Sequence, residues 1–181
     1  FGWRENGFDD TKWDSVETGS EYDLTPVPHP GIGVVEHKRV SPAGITDTED
    51  KKILIRFEEY ICGVLNLKLE GTRGSRIVIR HAETLNEKGE LHLRGNRSAR
   101  SQDEYILAGG TEEVFAPSFT YHGFRYAEVT IYGTVKLLHI EGVQLGTRLL
   151  RTTRFHTDQE TVNRVYRMTL ATEKANLFEV P

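Results

Sequence analysis

Between Lys51 and Ile140 apolar and polar residues alternate with period two. In Val64 to Glu70, Leu65, Leu67 and Leu69 fall on one side while Asn66, Lys68 and Glu70 fall on the other, as a half-buried strand requires. Ile77 to Glu83 is a second such run, rich in β-branched residues that suit a pleated surface. Lys52–Phe57, Glu104–Leu107, Tyr121–Tyr132 and Val135–Glu141 are predicted as further strands. Turn chemistry separates them: Gly71-Thr72-Arg73-Gly74, Asn86-Glu87-Lys88-Gly89, Gly109-Gly110 and Tyr132-Gly133-Thr134. Short alternating strands with no helix between them predict a mainly β fold, an antiparallel, jelly-roll-like β-sandwich spanning 34–147.

The two ends follow other patterns. Residues 1–33 hold both tryptophans, Trp3 and Trp13, and then Pro26, Pro28 and Pro30, which suits the end of a preceding module and an extended connector. Residues 148–181 are predicted as a linker followed by a helix. Thr157-Asp158-Gln159-Glu160 fits a capping box, and Val162, Val165, Tyr166, Thr169 and Leu170 then recur at helical spacing, with Asn163, Arg164, Arg167 and Lys174 assigned to solvent. Asn176 to Pro181 ends it. A single amphipathic helix after an all-β run either lies on the sandwich or packs against chain beyond residue 181, and the second arrangement is expected.

Composition narrows the function. The net charge of −4, from 23 basic and 27 acidic residues without long runs, argues against a nucleic-acid or anionic-membrane partner. No apolar run reaches the roughly 18 to 20 residues of a spanning helix. The chain starts at Phe1 with no basic-then-apolar leader, so the natural start is expected upstream and the compartment is unread. Cys62, the one cysteine, permits neither an internal disulfide nor a multi-cysteine metal site, and is read as a small buried hydrophobe.

Seven histidines, at 29, 37, 81, 92, 122, 139 and 156, include no His-x-His pair and no His-Glu-x-x-His, so no metal or other cofactor is expected. His81 and Glu83 stand at i, i+2 and would need distant help to hold an ion. The acid pairs Asp9-Asp10, Glu58-Glu59 and Glu112-Glu113 are sequential, so within strands their members point to opposite faces. None stands out as the two separated carboxylates that glycoside hydrolysis uses. The densest stretch is Phe115 to Val129, with Phe119, Tyr121, His122, Phe124, Arg125 and Tyr126. It could form a sugar platform, but the residues alone favour core aromatics with an arginine that pins a neighbouring loop.

Phe119-Thr120-Tyr121-His122-Gly123-Phe124-Arg125-Tyr126-Ala127-Glu128-Val129 resembles the signature of the bacterial α-L-rhamnosidases of glycoside hydrolase family 78. Arg80-His81-Ala82-Glu83-Thr84-Leu85-Asn86, the turn through Gly89-Glu90-Leu91, and Asn96-Arg97 to Asp103-Glu104-Tyr105 resemble the sandwich of the same family in order and spacing. Phe57 to Gly63 departs from a segment that usually begins Asp-Phe-Gly-Gln-Asn, and Phe8 to Trp13 resembles a common element of galactose-binding-like sandwiches.

The resemblance implies a sandwich that precedes an (α/α)6 barrel, whose first helix lies within 148–181 and whose acid and base follow Pro181. It implies an inverting glycosidase acting on terminal α-L-rhamnose, with no catalytic residue in this chain. The expected partners are a rhamnose-containing carbohydrate, through the full-length protein, and the barrel itself. Arg80, His81, Glu83, Tyr121, His122, Arg125 and Tyr126 are then the candidate sugar-binding or domain-interface residues. A free-standing carbohydrate-binding module, with Tyr121, His122, Arg125 and Tyr126 around a sugar, and a purely structural domain are the alternatives.

Overall fold

The computed structural model describes residues 3, 5–19, 25–28, 31–48 and 51–178. His29, Pro30 and the helix terminator expected at Pro181 lie outside them. The chain divides into two compact units, Phe1–Pro30 and Gly31–Pro181. In the first, the Asp9 carboxylate accepts from the Thr11 amide and hydroxyl, and the Phe8 and Trp13 rings stand 5.5 Å apart.

The second unit contains β1 (Val34–Val40), β2 (Gly44–Thr48), β3 (Lys52–Gly71), β4 (Arg76–Ala82), β5 (Gln102–Ile106), β6 (Glu113–Phe115), β7 (His122–Tyr132), β8 (Val135–Thr147) and helix α1 (Glu160–Asn176). Every strand pairing is antiparallel. The 20-residue β3 joins the layers of the sandwich. Its first half lies between β2 and β7, beyond which come β4 and β5; its second half lies between β6 and β8, beyond which comes β1.

Where the sequence pattern predicts two strands, Lys52–Phe57 and Val64–Glu70, the chain runs on as one. The β3–β7 register jumps between Arg56 and Ile61, and the bulge turns Glu58, Glu59 and Tyr60 out to solvent. A bulge bends a strand without breaking it. Because the apolar positions on both sides of it share one parity, Ile55, Phe57, Ile61, Leu65, Leu67 and Leu69 all face the same core. Ile77 and Ile79 of β4, Leu107 just after β5, Phe124, Ala127 and Val129 of β7, and Ile140 of β8 complete that core. Burying such side chains contributes roughly 1.5–3 kcal/mol each.

Two glycines fit the layers together. A Cβ on Gly63 would stand 1.8 Å from the Val143 carbonyl oxygen, so no side chain fits where β3 meets β8. A Cβ on Gly142 would stand 2.3 Å from Ile61 Cδ1 and 3.1 Å from Phe57 Cε1, the space those side chains fill. Cys62 is buried as expected, and burial pushes its thiol up to about 11.

The helix forms where the sequence predicts it, with different chemistry at its start. Thr157 does not close a capping box: its hydroxyl accepts from the Gln159 amide at 2.9 Å, and Glu160 turns to Arg167. Asn163, assigned to solvent by the helical pattern, is the buried residue of α1. Its side chain accepts from the Thr157 amide at 2.9 Å and donates to the Thr157 carbonyl at 2.8 Å, which satisfies a polar group inside the structure. Val162, Val165 and Met168 are exposed. The far end meets the sandwich, where the Thr147 amide donates to the Leu177 carbonyl at 3.0 Å. No helix among the described residues is long and apolar enough to cross a membrane.

Candidate functional site

The candidate residues group around one end of β4 and β7, where the long connection from Glu83 to Ser101 leaves the sheet and returns as β5. His81 is the sixth residue of β4 and points inward with 0% exposure, an imidazole in a position otherwise suited to Ile or Leu. Its ring stacks on His122 at 4.2 Å between centroids and 16° between planes, and meets Phe124 edge-on at 4.9 Å. Asp103, on the inward side of β5, completes the group: its Oδ1 lies 3.0 Å from His122 Nε2 and its Oδ2 lies 3.9 Å from His81 Nε2.

Ser101 supports both histidines. Its hydroxyl lies 3.2 Å from His122 Nδ1, and its carbonyl accepts from the His81 amide at 3.0 Å. His81 Nδ1, His81 Nε2 and Asp103 Oδ2 are buried and have no hydrogen-bond partner. Burial, together with the facing His122, pushes the His81 imidazole down to about 4 against the pull of Asp103, so it is neutral near pH 7.

The other candidates are placed differently. Glu83 is exposed just past the end of β4, so the strand alternation that would have put it beside His81 has already stopped. Arg80 is exposed and lines a polar pocket with Asn96, Arg100, Ser101 and Gln102. Arg125 donates from Nε to the Phe57 carbonyl at 3.2 Å, which fastens β7 to the β3 bulge, and its guanidinium lies about 6 Å from the Tyr60 and Tyr126 rings. Tyr121 stacks flat on Phe178 at 3.8 Å and 5°, so the segment after α1 covers one of its faces. The structure thus brings His81 and His122 together, while Arg80, Tyr121 and Arg125 make their contacts elsewhere and Glu83 is exposed. Asp103 was not among the candidates; it lies one residue before the strand predicted at Glu104–Leu107, with the parity of Tyr105 and Leu107, which face the core.

A second polar cluster closes the turn between β5 and β6. The Glu113 carboxylate accepts from the Tyr105 hydroxyl at 2.7 Å and from the amides of Ala108, Gly109 and Gly110 at 2.9, 2.9 and 3.1 Å. Partial burial opposes its ionisation, but these donors outweigh that and hold Glu113 down at about 2. Burial and the Glu113 charge push Tyr105 up to about 12.

The family model for the bacterial alpha-L-rhamnosidase concanavalin-like domain matches residues 46–146. An alpha-L-rhamnosidase of Streptomyces avermitilis is 30% identical over 99% of this chain, and the chain spans 18% of that relative. One from an Alteromonas species is 28% identical over 75% of the chain, which spans 15% of it. Among solved structures, the Streptomyces avermitilis enzyme complexed with L-rhamnose superposes with a TM-score of 0.86 over 99% of this chain and 18% of its own. The alpha-L-rhamnosidase from Dictyoglumus thermophilum, 32% identical, superposes with a TM-score of 0.73 over 81% of this chain and 17% of its own.

Proposed function

The chain belongs to the bacterial α-L-rhamnosidase family through its concanavalin-like domain, and from that premise we propose that it is the non-catalytic sandwich portion of an α-L-rhamnosidase, which removes terminal α-L-rhamnose from glycosides or polysaccharides with inversion. The state of the carboxyl groups carries this reading. General acid catalysis needs a carboxyl held protonated near neutral pH, beside a second that activates water. Among the described residues every carboxyl with a resolved shift moves the other way. The Thr11 hydroxyl lowers Asp9, Arg39 lowers Glu36, His139 lowers Glu141, Arg167 lowers Glu160, and Glu113 is held at about 2. Each of these acids has a local partner that favours its charged form.

On this reading residues 148–181 are the linker and first helix of an (α/α)6 barrel, and the exposed stripe Val162, Val165 and Met168 packs inside it. The candidate aromatic and basic residues then serve the architecture. His122 is engaged through both ring nitrogens, Arg125 through the bulge carbonyl and Tyr121 through Phe178. A free carbohydrate-binding module would need those faces open.

Hydrolysis of an aryl α-L-rhamnoside is the test. The 181-residue chain alone is expected to give no turnover, while the full-length protein releases rhamnose with inverted anomeric configuration by proton NMR. Turnover by the chain alone that disappears in Glu83→Gln or Glu128→Gln would refute the reading.

A further inference from the structure

We propose that His81, Asp103 and His122 form a binding site for a divalent cation of the zinc class, with the two Nε2 atoms and the Asp103 carboxylate as ligands and water in the fourth position. One ligand atom from each residue lies within 4.8 Å of the other two. The 3.0 Å from His122 Nε2 to Asp103 Oδ1 is near the roughly 3.4 Å between ligands of a tetrahedron with bonds of about 2.1 Å, and His81 Nε2 lies 3.9 Å from the other carboxylate oxygen, Oδ2. Two imidazoles and a carboxylate are the donor set that favours zinc over calcium or magnesium, which take oxygen ligands.

Unsatisfied chemistry points to an occupant. His81 has 0% exposure, and both its ring nitrogens lack partners, as does Asp103 Oδ2. A buried carboxylate is costly unless its charge is balanced. Among the described residues no lysine or arginine pairs with Asp103. A cation between Asp103 and the imidazoles would give His81 Nε2 a partner and balance the Asp103 charge.

The surroundings fit such a site. His81 sits within β4 and Asp103 within β5, strands that pair directly, and His122 opens β7, which borders β4 on its other side. Ser101 Oγ at His122 Nδ1 is the outer contact that orients a metal-bound histidine once Nε2 exchanges its contact with Asp103 Oδ1 for the ion. His122 and Asp103 side chains each keep 9% exposure, an entry path from solvent. The 3.0 Å contact between His122 Nε2 and Asp103 carries a proton when no metal is bound. Coordination at Nε2 moves the ring proton to Nδ1, which then donates to Ser101 Oγ, and the His122 ring leaves its stack on His81 so that both Nε2 lone pairs face the ion.

The full-length protein, stripped with EDTA and dialysed against zinc, is compared with His122→Gln and Asp103→Asn by elemental analysis and by melting with zinc and with EDTA. The wild type is expected to hold one more equivalent of zinc than either variant, and to melt at a higher temperature with zinc than with EDTA. Equal zinc content in all three proteins, or no zinc-dependent shift in the wild type, would overturn the site. Should neither variant fold, as judged by circular dichroism, anomalous diffraction at the zinc edge from wild-type crystals decides. A peak among the three side chains supports the site; a water there, or nothing, refutes it.

Discussion

Glu113→Gln tests whether one carboxylate fixes the β5–β6 turn. In the wild type the two oxygens accept four hydrogen bonds, Oε2 from Tyr105 and Ala108 and Oε1 from Gly109 and Gly110. An amide replaces one oxygen with a donor, so in either orientation two of the four donors face an N–H group, and the charge is gone. The fall from 4.5 to about 2 corresponds to about 3.4 kcal/mol at 1.36 kcal/mol per pKa unit, an upper limit. Screening by water at this partly exposed carboxylate reduces it to about 2 kcal/mol. A carboxyl depressed in the folded state contributes its full stability above the unfolded value of 4.5, and that contribution is lost as the pH falls through about 2. Urea unfolding followed by far-ultraviolet circular dichroism should therefore show a deficit of about 2 kcal/mol at pH 7 and less than half of it at pH 3. A deficit below about 0.5 kcal/mol at pH 7, or one equal at both pH values, would refute the argument.

Leu67→Ala removes a fully buried side chain that pairs across to Phe115 and Ile140, and should cost roughly 2 to 5 kcal/mol by the same unfolding assay. A loss below about half a kcal/mol would remove Leu67 from the core. Gly142→Ala inserts a methyl group against Ile61 and Phe57 and should cost about 1 to 3 kcal/mol, since the obstacles are side chains rather than backbone. Asn163→Ala breaks both bonds to Thr157. Hydrogen exchange should then quicken in the first turns of α1 while β3 and β7 keep their protection, and unchanged exchange there would contradict the role given to Asn163.

The central strands were legible because each shows one face to the core, so period two survives in the sequence. β1 was not: it is an edge strand with burial only at Val35 and Val40, and Val-Val-Glu-His-Lys-Arg-Val carries no alternation to read. β8 shows the other limit. Its register against β3 slips between Lys68 and Leu69, so Leu137 and Ile140 point inward while Leu138 is exposed. A bulge changes parity without any residue that announces it. Of the trio, His81 and His122 could be named from sequence, but their meeting depends on the β4–β7 register and on the return path of residues 83–101. Asp103 joins them only because β5 pairs Asp103 with Ile79, two positions from His81.

The helix shows why an amphipathic pattern gives the element more securely than its orientation. Period 3.6 places Val162, Val165 and Tyr166 together, and hydrophobic burial alone would turn that stripe inward. Instead Tyr166 packs against Phe155, its ring centroid 5.1 Å away, and Asn163 bonds the Thr157 backbone on both sides, so specific contacts to the 151–157 segment set the rotation. Val162, Val165 and Met168 are left outward with exposures of 44%, 57% and 60%. Two good hydrogen bonds to one buried amide contribute roughly 1 to 3 kcal/mol, comparable to burying a single valine, so neither force alone dictates the rotation. The choice made here leaves the apolar stripe of Val162, Val165 and Met168 open to a second surface.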